Sequence, residues 1–136
     1  MSPAPAPDLP VILIVDDEAG VRRLAGQILQ RGGYRALEAA DGVEALEILS
    51  APPSLIALVL TDVRMPNMNG LELERVVHQR WPGLPVLLMS GEITKEWVSE
   101  TLGTRAVDII RKPFLGEHLL EMVHDLLHSH TRSTPR

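Results

Sequence analysis

The chain has 136 residues, of which 45% are hydrophobic and 23% are charged, a composition typical of one globular domain. It contains no cysteine, which excludes disulfides, thiolate metal sites, iron–sulfur clusters and a cysteine nucleophile. The formal charge is -5 and there is no Lys/Arg cluster, so we expect no direct nucleic-acid partner. Every apolar run is far shorter than the roughly 20 residues that span a bilayer, so we expect no membrane contact of the chain by itself. We expect a cytoplasmic protein.

The two ends of the chain differ in composition from its middle. Four prolines stand among the first ten residues, and the last eight residues are almost entirely polar. Such segments do not supply the apolar surface that a core needs. We therefore predict a Pro/Ala-rich lead-in at 1–8, a single folded domain at 9–128 and a polar tail at 129–136.

In the folded segment, short apolar runs alternate with stretches whose apolar residues recur at helical spacing. The predicted strands are Val11–Val15, Tyr34–Ala39, Ala57–Thr61, Val86–Ser90 and Val107–Arg111. Three of them are apolar almost throughout, which is typical of strands buried on both faces. Five strand–helix pairs in alternation predict an α/β fold, with a doubly wound, five-stranded parallel sheet and five helices.

Apolar residues three or four positions apart define the predicted inner face of each helix. These residues are Val21, Leu24 and Ile28 in the first helix, Val43, Leu46 and Leu49 in the second, Leu71, Leu73, Val76 and Val77 in the third, Trp97, Val98 and Leu102 in a shorter fourth, and Leu115, Leu119, Val123 and Leu126 in the fifth.

Polar residues stand at the carboxyl ends of four predicted strands. They are Asp16, Asp17 and Glu18 after the first strand, Asp62 after the third, Ser90 at the end of the fourth and Lys112 after the fifth; Gly91 follows Ser90, and Pro113 follows Lys112. The carboxyl ends of parallel strands meet at one edge of the sheet, which is where open α/β sheets bind ligands. We therefore expect a functional site at this edge.

The three aspartates at this edge indicate a cation site. Two like charges about 4 Å apart repel by about 4 kcal/mol at an effective dielectric constant of about 20, so a carboxylate cluster favours a cation. Oxygen ligands without nearby His or Cys select Mg2+, or alternatively Mn2+, and bound Mg2+ commonly holds phosphate oxygens. Lys112 and Ser90 suit a phosphoryl group, and Asp62, at the end of the central strand, is the candidate nucleophile.

Four motifs together carry a family resemblance. They are Val-Asp-Asp-Glu at 15–18, Thr-Asp-Val-Arg-Met-Pro-Asn-Met-Asn-Gly at 61–70, Met-Ser-Gly at 89–91 and Arg-Lys-Pro-Phe at 111–114. In this order, at these strand ends, they resemble the receiver domain of two-component response regulators, a flavodoxin-like family typified by the chemotaxis response regulator. The resemblance covers nearly the whole folded segment.

The resemblance implies a role for each matching residue. Asp62 would be the phosphoacceptor. Asp16, Asp17, Asp62 and the carbonyl of Arg64 would hold Mg2+. Ser90 would be the switch hydroxyl and Lys112 the counter-ion of the phosphate, followed by Pro113 in a cis peptide bond.

The resemblance also implies the protein's partners. A histidine kinase or phosphotransfer protein would donate the phosphoryl group, and the chain would be a signalling switch rather than an enzyme. It would be a stand-alone regulator or the receiver of a hybrid histidine kinase, and it could form a homodimer through the face of the fourth and fifth helices.

Three positions depart from the commonest pattern of that family. Ile109 stands three residues before Lys112, where the family often has a Tyr or Phe that moves inward on phosphorylation. Arg64 and Glu92 follow Asp62 and Ser90 by two residues each and carry opposite charges. We predict that Arg64 and Glu92 pair over the phosphate and modulate its lifetime.

Other interpretations of these residues remain. A haloacid-dehalogenase-like phosphatase would need an Asp-x-Asp motif after the first strand, and a phosphorylation-independent interaction module would be expected to lack a site residue. Asn67, Asn69 and Gly70 are interpreted as loop and cap residues. A metal or phosphohistidine role for the five histidines, of which His124 and His128 lie four positions apart, is disfavoured against a solvated helix face.

Overall fold

The structure, a computed structural model, describes residues 9–52, 55–91, 93–101 and 107–132. Its elements in chain order are β1 (Val11–Val15), α1 (Ala19–Arg31), β2 (Arg35–Ala39), α2 (Gly42–Ser50), β3 (Ile56–Asp62), α3 (Gly70–Arg80), β4 (Val86–Ser90), α4 (Lys95–Thr101), β5 (Asp108–Arg111) and α5 (Gly116–Arg132).

The five strands form one parallel sheet in the order β2-β1-β3-β4-β5, which confirms the predicted sheet. Alternate residues of β1 point to opposite sides, as strand geometry requires. Ile12 and Ile14 belong to a core cluster with residues of α1 and α5, while Leu13 and Val15 belong to a second cluster with residues of α2 and α3. The sheet is therefore covered on both faces.

Four helices in the described part of the chain have nine residues or more, namely α1, α2, α3 and α5. The predicted fourth helix corresponds to α4, which has seven residues, and Leu102 of its predicted face lies outside the described residues. The last helix continues to Arg132, past the predicted domain end at residue 128. No helix among the described residues is both long and apolar enough to cross a membrane.

Three residues of the predicted helix faces are exposed, so these assignments are wrong. Leu24, Val43 and Leu115 have relative exposures of 55%, 47% and 71%. In α1 the buried residues are Ala25, Gly26 and Leu29, and in α2 they are Gly42, Ala45 and Leu49. Small residues let these helices lie close to the sheet, and a pattern based on bulky side chains does not detect that contact. Leu115 was predicted to lie in the fifth helix, but α5 begins only at Gly116, so Leu115 precedes it.

The strand bounds agree with prediction to within one residue. β1 and β4 have the predicted bounds, whereas β2 begins at Arg35 and β5 at Asp108. β3 is longer by one residue at each end and therefore includes Asp62. This extension makes Asp62 part of the hydrogen-bonded sheet, where it pairs in register with Met89.

Helix α3 begins with a capping box, which agrees with the cap role predicted for Asn69. The Asn69 side chain accepts a hydrogen bond from the Glu72 backbone N–H at 2.9 Å, and Glu72 Oε1 accepts one from the Asn69 backbone N–H at 3.1 Å. Two backbone donors at the helix start are thereby satisfied.

We expect Asn69→Ala to lower the free energy of unfolding by about 1 kcal/mol, because it removes the capping oxygen. Chemical denaturation measures this loss. Asn69→Asp keeps an oxygen at the same position and is the matched control, so we expect it to stay close to the parent. Equal unfolding midpoints for Asn69→Ala and the parent would contradict the role of the cap.

Candidate functional site

Asp16 is held at the end of β1 by the backbone on both sides. Its side chain is fully buried, and its Oδ1 accepts a hydrogen bond from the Glu18 backbone N–H at 2.9 Å. Its own backbone N–H donates to the Ala39 carbonyl at 3.2 Å, which continues the pairing of β1 with β2. Asp17, the next residue, is exposed. One carboxylate of the pair is thus fixed by the fold while the other faces solvent.

Asp62 is the last residue of β3, and only 8% of it is exposed. The next residue continues the pairing with β4, since the Val63 backbone N–H donates to the Met89 carbonyl at 3.0 Å. Gly70 packs directly on this turn: its N–H donates to the Val63 carbonyl at 2.8 Å, and a Cβ at position 70 would overlap the Asp62 carbonyl oxygen. The position of Asp62 therefore depends on the absence of a side chain at Gly70.

Lys112 brings a positive charge to both buried aspartates. Its Nζ lies 3.0 Å from Asp16 Oδ2 and 3.2 Å from Asp62 Oδ1. The lysine follows β5, its backbone N–H donates to the Ser90 carbonyl at 2.9 Å, and the Lys112–Pro113 peptide bond is cis. One ammonium group is therefore shared by two carboxylates that come from different strands.

The acidic cluster consists of Asp16, Asp17 and Asp62, each of which offers one carboxylate oxygen within 4.8 Å of the others. Three carboxylates and one ammonium leave a local excess of negative charge. Oxygen donors of this kind fit a hard divalent cation such as Mg2+ or Mn2+ and do not resemble a zinc site. The donor set is consistent with the predicted metal.

Burial and charge act in opposite directions on the two groups that meet at the centre of the site. Burial raises the pKa of Asp62, the charge of Lys112 lowers it, and the neighbouring Asp16 carboxylate raises it further, so the pKa lies above its usual value. Burial alone would lower the pKa of Lys112, but hydrogen bonds to Asp16 and Asp62 and their charges outweigh it and raise the pKa. Lys112 is therefore a firmly protonated cation at neutral pH.

The other predicted site residues surround this centre. Ser90 is buried at the end of β4, and Arg64 is exposed two residues after Asp62. Ile109 is half-buried on β5 and pairs in register with Leu88, so an aliphatic side chain occupies the position where the family often has a mobile aromatic residue. Glu92 lies outside the described residues, and its pairing with Arg64 stays a prediction, as does the ligand role of the Arg64 carbonyl.

Arg22 is a residue of this site that the sequence analysis missed. Its Nη1 donates to the Asp16 carbonyl at 2.6 Å, and its Nε donates to Glu38 Oε1 at 2.9 Å. The guanidinium thus ties the β1–α1 turn, which carries Asp16 and Asp17, to strand β2. A charged residue in the first turns of a predicted helix gives no such signal, because its partner on β2 is 16 positions away in sequence.

An apolar surface adjoins Lys112, and we call it the Phe114 surface. It surrounds a shallow cavity of about 280 Å³ and is lined by Val21, Leu24, Lys112, Pro113 and Phe114. Leu24, which the periodicity assigned to the core, is exposed here. Pro113 is also exposed, whereas Val21, Lys112 and Phe114 are half-buried.

Comparisons with known proteins by sequence and by structure point to one family. The family model described as response regulator receiver domain matches residues 12–124. A chemotaxis protein CheY homolog of Campylobacter jejuni is 34% identical over 119 residues, which is 85% of this chain and 91% of that protein. The C4-dicarboxylate transport transcriptional regulatory protein DctD of Rhizobium meliloti is 32% identical over 112 residues, 82% of this chain.

This chain spans only 24% of the length of DctD, and 16% of that of a putative two-component response regulator of Arabidopsis thaliana, ARR21, with which it is 36% identical over 102 residues. Among solved structures, the CheY-like receiver domain protein of Methanospirillum hungatei has a TM-score of 0.81 at 30% identity, with coverage of 92% of this chain and 98% of that one.

Proposed function

The chain belongs to the response regulator receiver domain family, and from this premise we propose that it is a Mg2+-dependent phosphoacceptor whose Asp62 is phosphorylated by a histidine kinase or a phosphotransfer protein. The observation that carries the proposal is the contact of Lys112 Nζ with both Asp16 and Asp62 at 3.0 and 3.2 Å, next to the third carboxylate of Asp17. This arrangement supplies a nucleophile, a cation site and a fixed positive charge within one small volume.

In the proposed reaction, a carboxylate oxygen of Asp62 attacks the phosphorus atom of a phosphohistidine or an acyl phosphate. The new bond joins this oxygen to phosphorus, and the bond from phosphorus to the donor nitrogen or oxygen breaks, with its electron pair leaving on the donor. The Lys112 ammonium stands 3.2 Å from Asp62 Oδ1 and stabilises the negative charge of the transferred group.

The acidic cluster would hold Mg2+ through Asp16, Asp17 and Asp62. When bound, the ion would supply positive charge to the phosphoryl oxygens. The task of the protein is to keep the carboxylates in place: Asp16 through the Glu18 backbone N–H, and the turn as a whole through Arg22. The buried Ser90 hydroxyl is proposed to donate a hydrogen bond to a phosphoryl oxygen.

The Phe114 surface is proposed as the contact for the phosphoryl donor. It is largely apolar, it is partly exposed and it includes Lys112, so a protein docked there would bring its phosphorylated side chain to the site. The domain limits of 9–128, a cytoplasmic location, the lack of a direct nucleic-acid partner and a homodimer through the face of α4 and α5 stay predictions.

The proposed function is tested by incubation of the chain with acetyl phosphate and Mg2+, followed by intact mass spectrometry. We expect a phosphoryl adduct that needs Mg2+ and is lost slowly. Steady release of phosphate without an adduct would favour the phosphatase, and no adduct at all would favour the phosphorylation-independent module.

We expect Asp17→Asn to weaken Mg2+ binding at least tenfold, because it removes one carboxylate from the cluster and a tenfold loss needs only about 1.4 kcal/mol. Titration calorimetry measures the affinity. Glu18→Gln is the matched control: it removes the same charge from the adjacent residue, which is exposed and is not one of the three clustered carboxylates. An equal loss in both variants would show that only net charge matters and would remove Asp17 from the proposed site.

A further inference from the structure

Two histidines of α5 lie together more than two turns beyond the start of this helix. His124 and His128 are spaced i, i+4, their ring centroids are 3.9 Å apart, and their planes are inclined by 32°. Both residues are exposed. Neither residue takes part in the proposed phosphorylation, whose residues lie at the carboxyl edge of the sheet before α5 begins.

The orientation of His128 is defined by its own helix. Its Nδ1 lies 2.8 Å from the carbonyl oxygen of His124, a hydrogen-bond distance. In the neutral ring this contact makes Nδ1 the protonated donor and gives Nε2 the lone pair. Histidines that bind metals commonly show this arrangement, in which the second ring nitrogen donates to a backbone carbonyl and fixes the tautomer.

From the i, i+4 spacing, the 3.9 Å ring separation and the His128 contact, we propose that His124 and His128 form a second metal site, which takes a transition-metal ion of the class of Zn2+, Ni2+ or Cu2+. Pairs of histidines at this spacing share one helix face and can contribute two imidazole ligands to one ion. Among the described residues, the acidic cluster alone brings three carboxylate or imidazole ligands together, so water completes the coordination at the histidine pair.

The two sites differ in the metals they select. Carboxylate oxygens favour Mg2+, whereas imidazole nitrogens favour Zn2+, Ni2+ and Cu2+. Glu121 and Asp125 stand three residues before His124 and His128, on the same helix, and both are exposed. Their negative charges favour any cation nearby, whereas the two imidazoles make the site prefer Zn2+, Ni2+ or Cu2+ over Mg2+. Saturation of the acidic cluster with Mg2+ is therefore not expected to block binding of a transition metal at the histidine pair.

A metal bound to residues four positions apart joins successive turns of α5. Leu119 and Val123 of this helix are fully buried in the core, so an ion that binds only the folded helix stabilises the whole domain. The inference does not rest on the proposed function, because the histidine pair binds its ion whether or not Asp62 accepts a phosphoryl group.

The test is a calorimetric titration of the full chain with Zn2+, and in parallel with Ni2+, in the presence of excess Mg2+. We expect one ion per chain, and at least tenfold weaker binding for both His124→Ala and His128→Ala, since the loss of a mere supporting contact of a ligand already costs about 10–100-fold. His118→Ala is the matched control, because it removes an exposed imidazole from the same helix outside the pair, and we expect parental affinity.

A second measurement guards against misfolding of the variants. We expect Zn2+ to raise the melting temperature of the parent and of His118→Ala, and to leave the melting temperatures of His124→Ala and His128→Ala unchanged. Parental affinity in either variant of the pair would overturn the proposal. So would an equal loss of affinity in His118→Ala.

Discussion

Asp62→Asn is expected to abolish the phosphoryl adduct that acetyl phosphate and Mg2+ produce. The amide lacks the anionic oxygen that attacks phosphorus, and the geometry around Lys112 offers no substitute at the end of β3. Intact mass spectrometry detects the adduct, and peptide mapping after borohydride trapping locates it in the parent. A label on any other residue would overturn the assignment.

Asp41→Asn is the matched control for this prediction. Asp41 caps α2, where its Oδ1 accepts from the Glu44 backbone N–H at 2.8 Å, and asparagine keeps a capping oxygen at this position. The same chemical change is therefore made outside the acidic cluster, and we expect a full adduct. Loss of the adduct in Asp41→Asn would show that removal of a carboxylate outside the acidic cluster also prevents phosphorylation, and the result for Asp62→Asn would then not identify Asp62 as the phosphoacceptor.

The stability of Asp62→Asn shows whether the adduct is absent because the phosphoacceptor is missing or because the variant is unfolded. The pKa of Asp62 is raised, first by burial and also by the Asp16 carboxylate, so its charged form is disfavoured in the folded chain. For a carboxyl group with a raised pKa, stability falls as the pH rises from the unfolded pKa through the folded one. At neutral pH and in chelator, we therefore expect Asp62→Asn to melt no lower than the parent.

Among the glycines in the described part of this chain, we expect substitution by alanine to lower the stability most at Gly70. The new Cβ would overlap the Asp62 carbonyl oxygen and lie 2.9 Å from its carbonyl carbon and 3.0 Å from Val63 Cα. These are backbone atoms, which cannot rotate away as a side chain does. Overpacking of this kind costs about 1–3 kcal/mol, and here relief requires movement of the segment that carries Asp62.

Denaturation and phosphorylation of Gly70→Ala are measured together. We expect a lower unfolding midpoint and slower formation of the adduct in the fraction that remains folded. Gly20→Ala is the control: no neighbouring atom lies within 4 Å of the place that its methyl group would take on α1, and alanine favours a helix over glycine by up to about 1 kcal/mol. We expect this variant to be as stable as the parent or more stable. Equal behaviour of the two variants would contradict the close packing at Gly70.

The sequence by itself determined the architecture and the edge of the sheet that carries the site. Val11–Val15 and Val86–Ser90 are apolar runs of strand length, and each ends directly in polar residues, so the strand bounds were predictable without contacts. The parallel order follows from the alternation of strands and helices, because parallel strands need a crossover. Asp16, Asp17 and Asp62 therefore had to meet at one edge, and the structure brings them together.

The tertiary structure decided which faces are buried and which contacts position the site. Leu24 and Val43 fit a helical period but are exposed, because Ala25, Gly26 and Ala45 let the backbones of α1 and α2 approach the sheet. Contacts between residues far apart in sequence leave no local pattern, as in Arg22 with Glu38 and in Lys112 with Asp16. They arise only once the chain has folded, since each joins side chains from different elements whose separation is set by packing.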